Sequence, residues 1–301
     1  MKIGYAAKTE WEAMEGGHRG VGLKIKTLLT ADSFIPGGYH LSIAETPNTY
    51  RSPRHKHNFD QIRISLKGST NYGPNLEIGE GEVVYFPEGV PYGPQDQGPS
   101  GVNLGVVVQF GGATGYGAFP PRENIRAMPE LLAKGVFSGG RYRPYTPPGG
   151  EQSEIDGFQA VWQHVMGTEV EYPAPRYLEP VHMLPANFPW TQRSKISAAF
   201  EKHMGTFSER SIILREIWLE PGVRYELASR EGLQLVFFYR GDGVLDGNVS
   251  WEAHSAVEIA AGESALLNAA STTHALIIGF ALFGLPYADP RITDHVTERT
   301  L

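Results

Sequence analysis

The stretch that decides the fold is RHKHNFDQIRISLKG, residues 54–68. His55 and His57 are two positions apart, so on an extended chain both imidazoles leave the same side of the backbone and can approach one ion. Gln61 and Gly68 follow within the same stretch. The spacing predicts either a metal site held by the two histidines or a pocket in which they hydrogen-bond a ligand.

The second half of this stretch alternates between polar and apolar side chains, which predicts a strand with one buried face. Gln61, Arg63 and Ser65 share one face, and the residues between them, Ile62 and Ile64, share the other. A strand whose polar side chains face solvent would give the same pattern. If the polar face points into a barrel, Arg63 needs an anionic partner, because an unpaired buried charge is costly.

A second recognisable spacing lies in GEGEVVYFPEGVPYG, residues 79–93. Both stretches resemble the motifs of the cupin superfamily. The first motif of that family is Gly, then His-x-His, three or four residues, Glu, six residues and Gly. This sequence matches it at His55, His57 and Gly68, with Gln61 in place of the glutamate, while the opening glycine has no clear counterpart.

The second motif of the family is Gly, five residues, Pro-x-Gly, two residues, His, three residues and Asn. The chain matches it at Gly81, Pro87 and Gly89, with Tyr92 at the histidine and Asp96 at the asparagine. The resemblance implies one divalent transition metal (Fe, Mn, Ni or Zn) on His55 and His57. Gln61 and Tyr92 would then complete or border its coordination sphere as catalytic residues. A neutral amide is a poorer ligand than a carboxylate and cannot act as a general base.

The chain contains an internal repeat. FDQIRISLKGST, residues 59–70, resembles GLQLVFFYRGDG, residues 232–243, at an offset of 173, and GEGEVVYFPEGV resembles AAGESALLNAAS, residues 260–271, at an offset of 181. Repeated units indicate repeated architecture. The second copy has Ala228 and Arg230 at the two histidine positions, and His274 falls one residue out of register, so we expect no metal site there.

Short strand-like runs bounded by turn residues recur in both halves of the chain, and 36 glycines and 22 prolines indicate many tight turns. We therefore predict an all-β protein, a bicupin of two jelly-roll barrels. The N-terminal barrel spans 1–112 and the C-terminal barrel 191–301. A Pro/Gly-rich linker over 113–190 carries helices near 122–134 and 153–166, the second capped by Ser153, and wraps one barrel.

Strand periodicity predicts different roles for the two barrels. The counterpart of the polar face is Gln234, Val236 and Phe238, which would fill the second barrel with hydrocarbon. The ligand pocket should therefore lie in the first barrel, with Arg63, Tyr72, Tyr85 and Gln109 as its substrate-binding residues. His40, on an adjacent strand, is an alternative third metal ligand, although a solvent-facing position is the simpler interpretation.

Composition excludes several classes of function. The chain has 26 Lys+Arg against 33 Asp+Glu, a net charge of −7 and no basic block, so nucleic acid is not an expected partner. It has no cysteine, which removes disulfides and thiolate sites. No apolar run is long enough for a membrane span, and no signal peptide is evident, which favours the cytoplasm.

From these observations we expect a metal-dependent cupin enzyme, of the dioxygenase type, that acts on a small organic acid or phenolic compound. Two alternatives stay open. One is a cupin isomerase or lyase in which a metal or Tyr92 polarises a carbonyl group. The other is a non-catalytic bicupin that binds a small molecule. The resemblance also implies a homodimer.

Overall fold

The structure is a computed structural model, and it describes residues 1–14, 18–31, 38–96, 101–112, 114, 121–147, 149–151, 153–193, 198–208, 210–228 and 232–280. The strands of the N-terminal part are β1 (Lys2–Tyr5), β2 (Glu12–Ala13), β3 (Lys24–Thr30), β4 (Tyr39–Thr46), β5 (Arg51–Ser52), β6 (Asp60–Lys67), β7 (Thr70–Gly73), β8 (Leu76–Ile78), β9 (Val83–Phe86), β10 (Gln95–Asp96) and β11 (Asn103–Phe110).

The middle of the chain contains both α-helices. Its elements are α1 (Pro121–Lys134), β12 (Gly135–Ser138), β13 (Arg141–Pro144), β14 (Ile155–Asp156), α2 (Gly157–Met166) and β15 (Val181–Met183). The C-terminal strands are β16 (Thr191–Gln192), β17 (Ala199–Phe207), β18 (Ile212–Leu219), β19 (Arg224–Ala228), β20 (Leu233–Arg240), β21 (Gly243–Leu245), β22 (Val249–Trp251), β23 (Ser255–Ile259), β24 (Ser264–Ala269) and β25 (Thr273–Phe280). Two short 3-10 helices cover Ala6–Lys8 and Pro185–Asn187.

Each barrel is built on a seven-stranded antiparallel sheet, and the two sheets have matching strand orders. The first runs β15-β9-β6-β11-β4-β3-β2 and the second runs β1-β23-β20-β25-β18-β17-β16. The edge strands are exchanged: β1, from the start of the chain, completes the second sheet, and β15, from the linker, completes the first. The all-β prediction with two jelly-roll barrels is confirmed.

Strand pairing corrects one half of the predicted repeat. Gln61 pairs with Phe86 in the first sheet, and Gln234 pairs with Ile259 in the second. Gln234 and Ile259 lie 173 positions after Gln61 and Phe86. The strand equivalent to β9 is therefore β23, and the predicted offset of 181 is wrong. At the offset of 173, His254 (φ 63°) takes the left-handed position of Gly81 (φ 80°).

The two sheets pack against each other through the apolar faces of their strands. Ile62 and Ile64 of β6 are buried there with Leu214 of β18 and Leu276 of β25. This is the apolar face that strand alternation predicts. The opposite face of β6 therefore lines the interior of the first barrel.

The interior of the second barrel is filled with hydrocarbon, as the alternation predicts. Val236 and Phe238 are fully buried, and Phe238 stacks on Trp251 with ring centroids 4.1 Å apart. Close-packed aromatic and aliphatic side chains leave no room for a ligand among them.

The linker forms a cap with a core of its own. Met128 and Leu131 of α1 pack with Val161 and Trp162 of α2, and Phe59 of the first barrel joins this cluster. Helix α2 begins later than predicted, because Asp156 caps it and Ser153 does not: the Asp156 side chain accepts from the backbone N–H of Phe158 (2.9 Å).

Among the described residues, no helix is long and apolar enough to span a membrane. The domain boundaries, the cytoplasmic location and the homodimer stay predictions.

Candidate functional site

The first barrel encloses a cavity of about 180 Å³. Its polar wall includes the predicted face of β6, and the charged or titratable side chains that line it are Arg19, Arg63, Tyr50 and four histidines (His18, His40, His55 and His57). Among the described residues, no aspartate or glutamate lines this cavity. The lining is therefore a set of hydrogen-bonding groups with a cationic excess.

The register of three neighbouring strands places one row of polar side chains across the cavity wall. Gln109 of β11 pairs with Gln61 on one side and with His40 on the other. The Gln109 amide nitrogen lies 2.8 Å from Oε1 of Gln61. In the alternative orientation of the Gln61 amide, its nitrogen faces Gln109 and its oxygen accepts from Nε of Arg63 at 3.1 Å. Gln61 and Gln109 are thus held in place by polar partners.

Arg63 lies on the wall of the cavity and contacts Tyr92, a predicted catalytic residue that does not itself line the cavity. The Arg63 Nη2 donates to the Tyr92 hydroxyl at 2.9 Å, and the guanidinium lies over the rings of Phe86 and Tyr92 at 4.9 and 5.0 Å. Among the described residues, no carboxylate forms an ion pair with Arg63. Hydrogen bonding and the two aromatic faces hold the cation in position and leave its charge uncompensated.

His55 and His57 lie side by side with ring centroids 5.0 Å apart, as their spacing predicts. Nδ1 of His55 lies 2.7 Å from the Pro53 carbonyl oxygen, to which it donates, so Nε2 carries the lone pair. His57 stacks on Phe59 at 4.4 Å, and its Nδ1 lies 3.3 Å from the Tyr92 hydroxyl. Burial lowers the pKa of both histidines well below the usual value, and Arg19 lowers that of His55 further.

The donor set does not fit a divalent metal ion of the family pattern. The described residues include no group of three or more His, Asp or Glu side chains that could hold a metal. The amide of Gln61 replaces the carboxylate, and the hydroxyl of Tyr92, which stands in place of the third histidine, accepts a hydrogen bond from Arg63. A second cation would also be repelled by the Arg63 guanidinium beside it.

The contact between the cap and the N-terminal segment supplies residues that sequence reasoning missed. Arg19 is buried and pairs with Asp156 at the start of α2 (Nη1 to Oδ2, 2.6 Å), and Phe158 of the same helix lies against His57. His18 lies 3.1 Å from the Asn124 amide of α1, and burial lowers its pKa to about 3. No local pattern marks these residues, because they reach the cavity only when the linker docks on the barrel.

His40 is not solvent-facing. Its side chain is buried on the wall of the cavity, and burial lowers its pKa to about 4. The alternation of His40, Ser42 and Ala44 along β4 is a signal that could have placed it there.

Two of the predicted substrate-binding residues lie outside the cavity. Tyr85 is on the opposite face of its strand, packs on Phe207 between the barrels, and donates to Asp60 at 3.1 Å. The Tyr72 hydroxyl lies 3.2 Å from Nδ1 of His182, on the linker strand β15. Both expectations are corrected, since a residue on a strand that borders a barrel faces the interior only at alternate positions.

An acidic pair is buried next to Tyr85. Asp60 and Glu88 are fully buried, and Arg176 of the linker lies 3.7 Å from Asp60 and 2.7 Å from Glu88. Burial, reinforced by the charge of Glu88, raises the pKa of Asp60 to about 7. This cluster fastens the linker to the barrel.

The second barrel has no counterpart of the site among its described residues. Ala228 and Ala265 stand at the positions of His55 and Tyr92, while Arg230 lies outside the described residues. His274 lies on the outer face, with Nε2 at 3.2 Å from Glu216.

No protein-family model and no curated protein matches the chain. Solved structures do match. A candidate dioxygenase from Nostoc punctiforme is 10% identical with a TM-score of 0.60, and the match covers 95% of this chain and 85% of that one. Quercetin 2,3-dioxygenase from Acinetobacter baumannii is 14% identical with a TM-score of 0.50, covering 99% and 95%.

The Bacillus subtilis oxalate decarboxylase, described with Mn(II) centres, is 13% identical with a TM-score of 0.51, covering 93% of this chain and 77% of that one. At such identities the likeness concerns the fold. It agrees with the strand order, the repeat and the motif spacing, all of which indicate two barrels of the cupin type.

Proposed function

We propose that this chain, which has the two-barrel cupin fold, binds a small organic acid in its first barrel. The observation that carries the proposal is Arg63: a cation on the cavity wall for which the described residues supply no carboxylate. An acid would supply the missing charge, through charge-assisted hydrogen bonds worth roughly 1.5–3 kcal/mol.

The size and lining of the cavity support an acid with a short hydrocarbon part. An apolar cavity of about 150 Å³ accepts benzene, and this cavity measures about 180 Å³. Ile25, Ile78, Val106 and Phe158 contribute apolar surface to the lining. An aromatic or aliphatic monocarboxylate would place its carboxylate on Arg63 and its carbon skeleton against these side chains.

The histidines suit the uncharged polar groups of such a ligand. Since Nδ1 of His55 is engaged with a backbone carbonyl, Nε2 is left to accept a hydrogen bond from a ligand hydroxyl. This is the interpretation of the His-x-His pair that requires no metal. It favours the binding module among the alternatives, while the metal-dependent oxygenase needs a donor set that Gln61 and Tyr92 do not supply.

Calorimetric titration with butyrate, benzoate and 2-hydroxybenzoate tests the proposal, with the corresponding neutral amides as ligand controls. Arg63→Met should weaken acid binding by about tenfold to a hundredfold and leave the amides unaffected. Arg215→Met, an arginine of the second barrel, is the matched control and should change nothing.

Elemental analysis of protein purified without chelator or affinity metal completes the test. Wild-type protein that binds none of the acids, or an Arg63→Met variant that binds them equally well, would overturn the proposal. Stoichiometric bound metal lost in His55→Ala would favour the metal-dependent oxygenase instead.

A further inference from the structure

Two arginines line the cavity of the first barrel, and they differ in their partners. Arg63 meets only hydrogen-bonding and aromatic groups among the described residues. Arg19 is 7% exposed and forms an ion pair with Asp156 at 2.6 Å. The cavity therefore has two guanidinium groups but a net excess of one positive charge.

The Asp156 carboxylate serves two partners with different oxygens. Oδ1 accepts from the backbone N–H groups of Phe158 (2.9 Å) and Gln159 (3.2 Å) and so caps α2. Oδ2 faces Arg19. Helix capping requires only one acceptor oxygen, which an asparagine supplies equally well. The second oxygen is thus available for charge compensation, and this is a function that capping does not explain.

Resting on the proposed function, we propose that Asp156 sets the charge specificity of the cavity: by compensating Arg19 from the cap, it restricts the ligand to acids with one negative charge. A monocarboxylate finds one uncompensated cation, Arg63. A dicarboxylate would bury a second carboxylate, and the other cation of the described lining, Arg19, is already paired; an unpaired buried charge is strongly disfavoured.

The remaining titratable groups of the lining do not alter this count. Burial lowers the pKa of His18 to about 3, that of His40 to about 4 and those of His55 and His57 well below the usual value, and it raises the pKa of Tyr50, so all five side chains are neutral near pH 7. The arrangement also couples the linker to recognition, since the residue that compensates Arg19 is the N-cap of α2 and belongs to the linker.

The variant Asp156→Asn separates the two roles, because it keeps the capping oxygen and removes the charge. Calorimetric titration with two matched pairs, butyrate against succinate and benzoate against terephthalate, measures the preference. We expect wild-type protein to bind the monocarboxylate of each pair at least tenfold tighter. In Asp156→Asn the freed Arg19 should improve dicarboxylate binding about tenfold to a hundredfold.

The double variant Arg19→Met/Asp156→Asn has neither charge and should return to the wild-type preference. If Asp156→Asn does not fold, the single variant Arg19→Met provides the same test. It leaves the Asp156 carboxylate uncompensated beside the cavity, so it should bind monocarboxylates more weakly than wild-type protein.

The outcomes distinguish this inference from the function on which it rests. Wild-type protein that binds neither class of acid overturns the proposed function. Wild-type protein that binds both classes equally, or a folded Asp156→Asn whose preference equals that of wild type, overturns the role of Asp156 and leaves acid binding intact.

Discussion

The two barrels have sheets of matching strand order, yet among the described residues a polar cavity lies inside the first barrel and hydrocarbon fills the second. The difference lies in the inward positions of one strand: Gln61, Arg63 and Ser65 in β6 are replaced by Gln234, Val236 and Phe238 in β20. Phe238 and Trp251 occupy the volume that the first barrel leaves open. Side-chain size and polarity, and not the course of the backbone, thus decide which barrel can take a ligand.

The largest expected effect on stability comes from exchanging the equivalent residues Arg63 of β6 and Val236 of β20. Val236→Arg places a guanidinium in the fully buried hydrocarbon core of the second barrel. We expect a loss of about 3–5 kcal/mol in the free energy of unfolding, because the charge has no partner there. The reverse exchange, Arg63→Val, should leave stability within about 1 kcal/mol. Urea denaturation of both variants measures the difference, and equal losses would contradict the comparison.

Acid should destabilise the first barrel through its buried histidines. His18 and His40 bind protons in the unfolded chain below pH 6.5 but not in the folded one until about pH 3 and 4, so stability falls as the pH falls below 6.5. Each contributes about 1.4 kcal/mol per pH unit. Asp60 has the opposite sign: its folded-state pKa of about 7 exceeds the unfolded value, so its contribution falls as the pH rises towards 7.

Denaturation at a series of pH values between 4 and 7 checks the signs. His40→Gln should reduce the slope of stability against pH, since one proton fewer is taken up on unfolding. Asp60→Asn should make the slope steeper, because the opposing contribution is removed. A slope unaffected by His40→Gln would show that His40 is not buried in a neutral form.

Restoring the family ligands should convert the first barrel alone into a metal site. The triple variant Gln61→Glu/Arg63→Met/Tyr92→His supplies a carboxylate and a third imidazole and removes the competing cation. We expect affinity for Ni²⁺ or Mn²⁺ to rise at least tenfold over wild type, measured by calorimetry. His55→Ala in the same background should abolish the gain. If it does not, the metal is bound elsewhere.

The smallest expected effect on stability concerns two equivalent positions of the repeat at which the backbone adopts the left-handed conformation. Gly81 in the first copy has φ 80°, and His254 in the second has φ 63°. A residue with a side chain is strained in this region, so His254→Gly should raise the free energy of unfolding by up to about 1 kcal/mol. Destabilisation by more than that amount would mean that the contact of His254 with Phe237 outweighs the strain.

Strand alternation was sufficient to predict much of the architecture. The alternation over Gln61–Leu66 identified the inward and outward faces of β6, and the counterpart in β20 identified the filled barrel. The spacing of His55 and His57 brought two imidazoles together. Both predictions depend on local properties of an extended chain, in which successive side chains alternate between the two faces of the strand.

The errors have a different origin. The offset of 181 came from the similarity of two short sequence segments. Strand pairing depends on hydrogen-bond register, and a short sequence similarity does not determine that register. Tyr72 and Tyr85 were chosen as strand aromatics without fixing their faces. Arg19 and Asp156 meet across 137 positions of sequence, and only the docking of the linker brings them together.

The exchanged edge strands determine the order in which the two sheets can be completed during synthesis of the chain. The first sheet lacks its edge until β15 has been synthesised, and β1 waits for β23, which follows it by about 250 residues. At the usual rates of synthesis of about 5–20 residues per second, that wait lasts roughly 13–50 s. Strand β1 therefore stays unpaired long after its own synthesis, and the second sheet is complete only when β23 has been made.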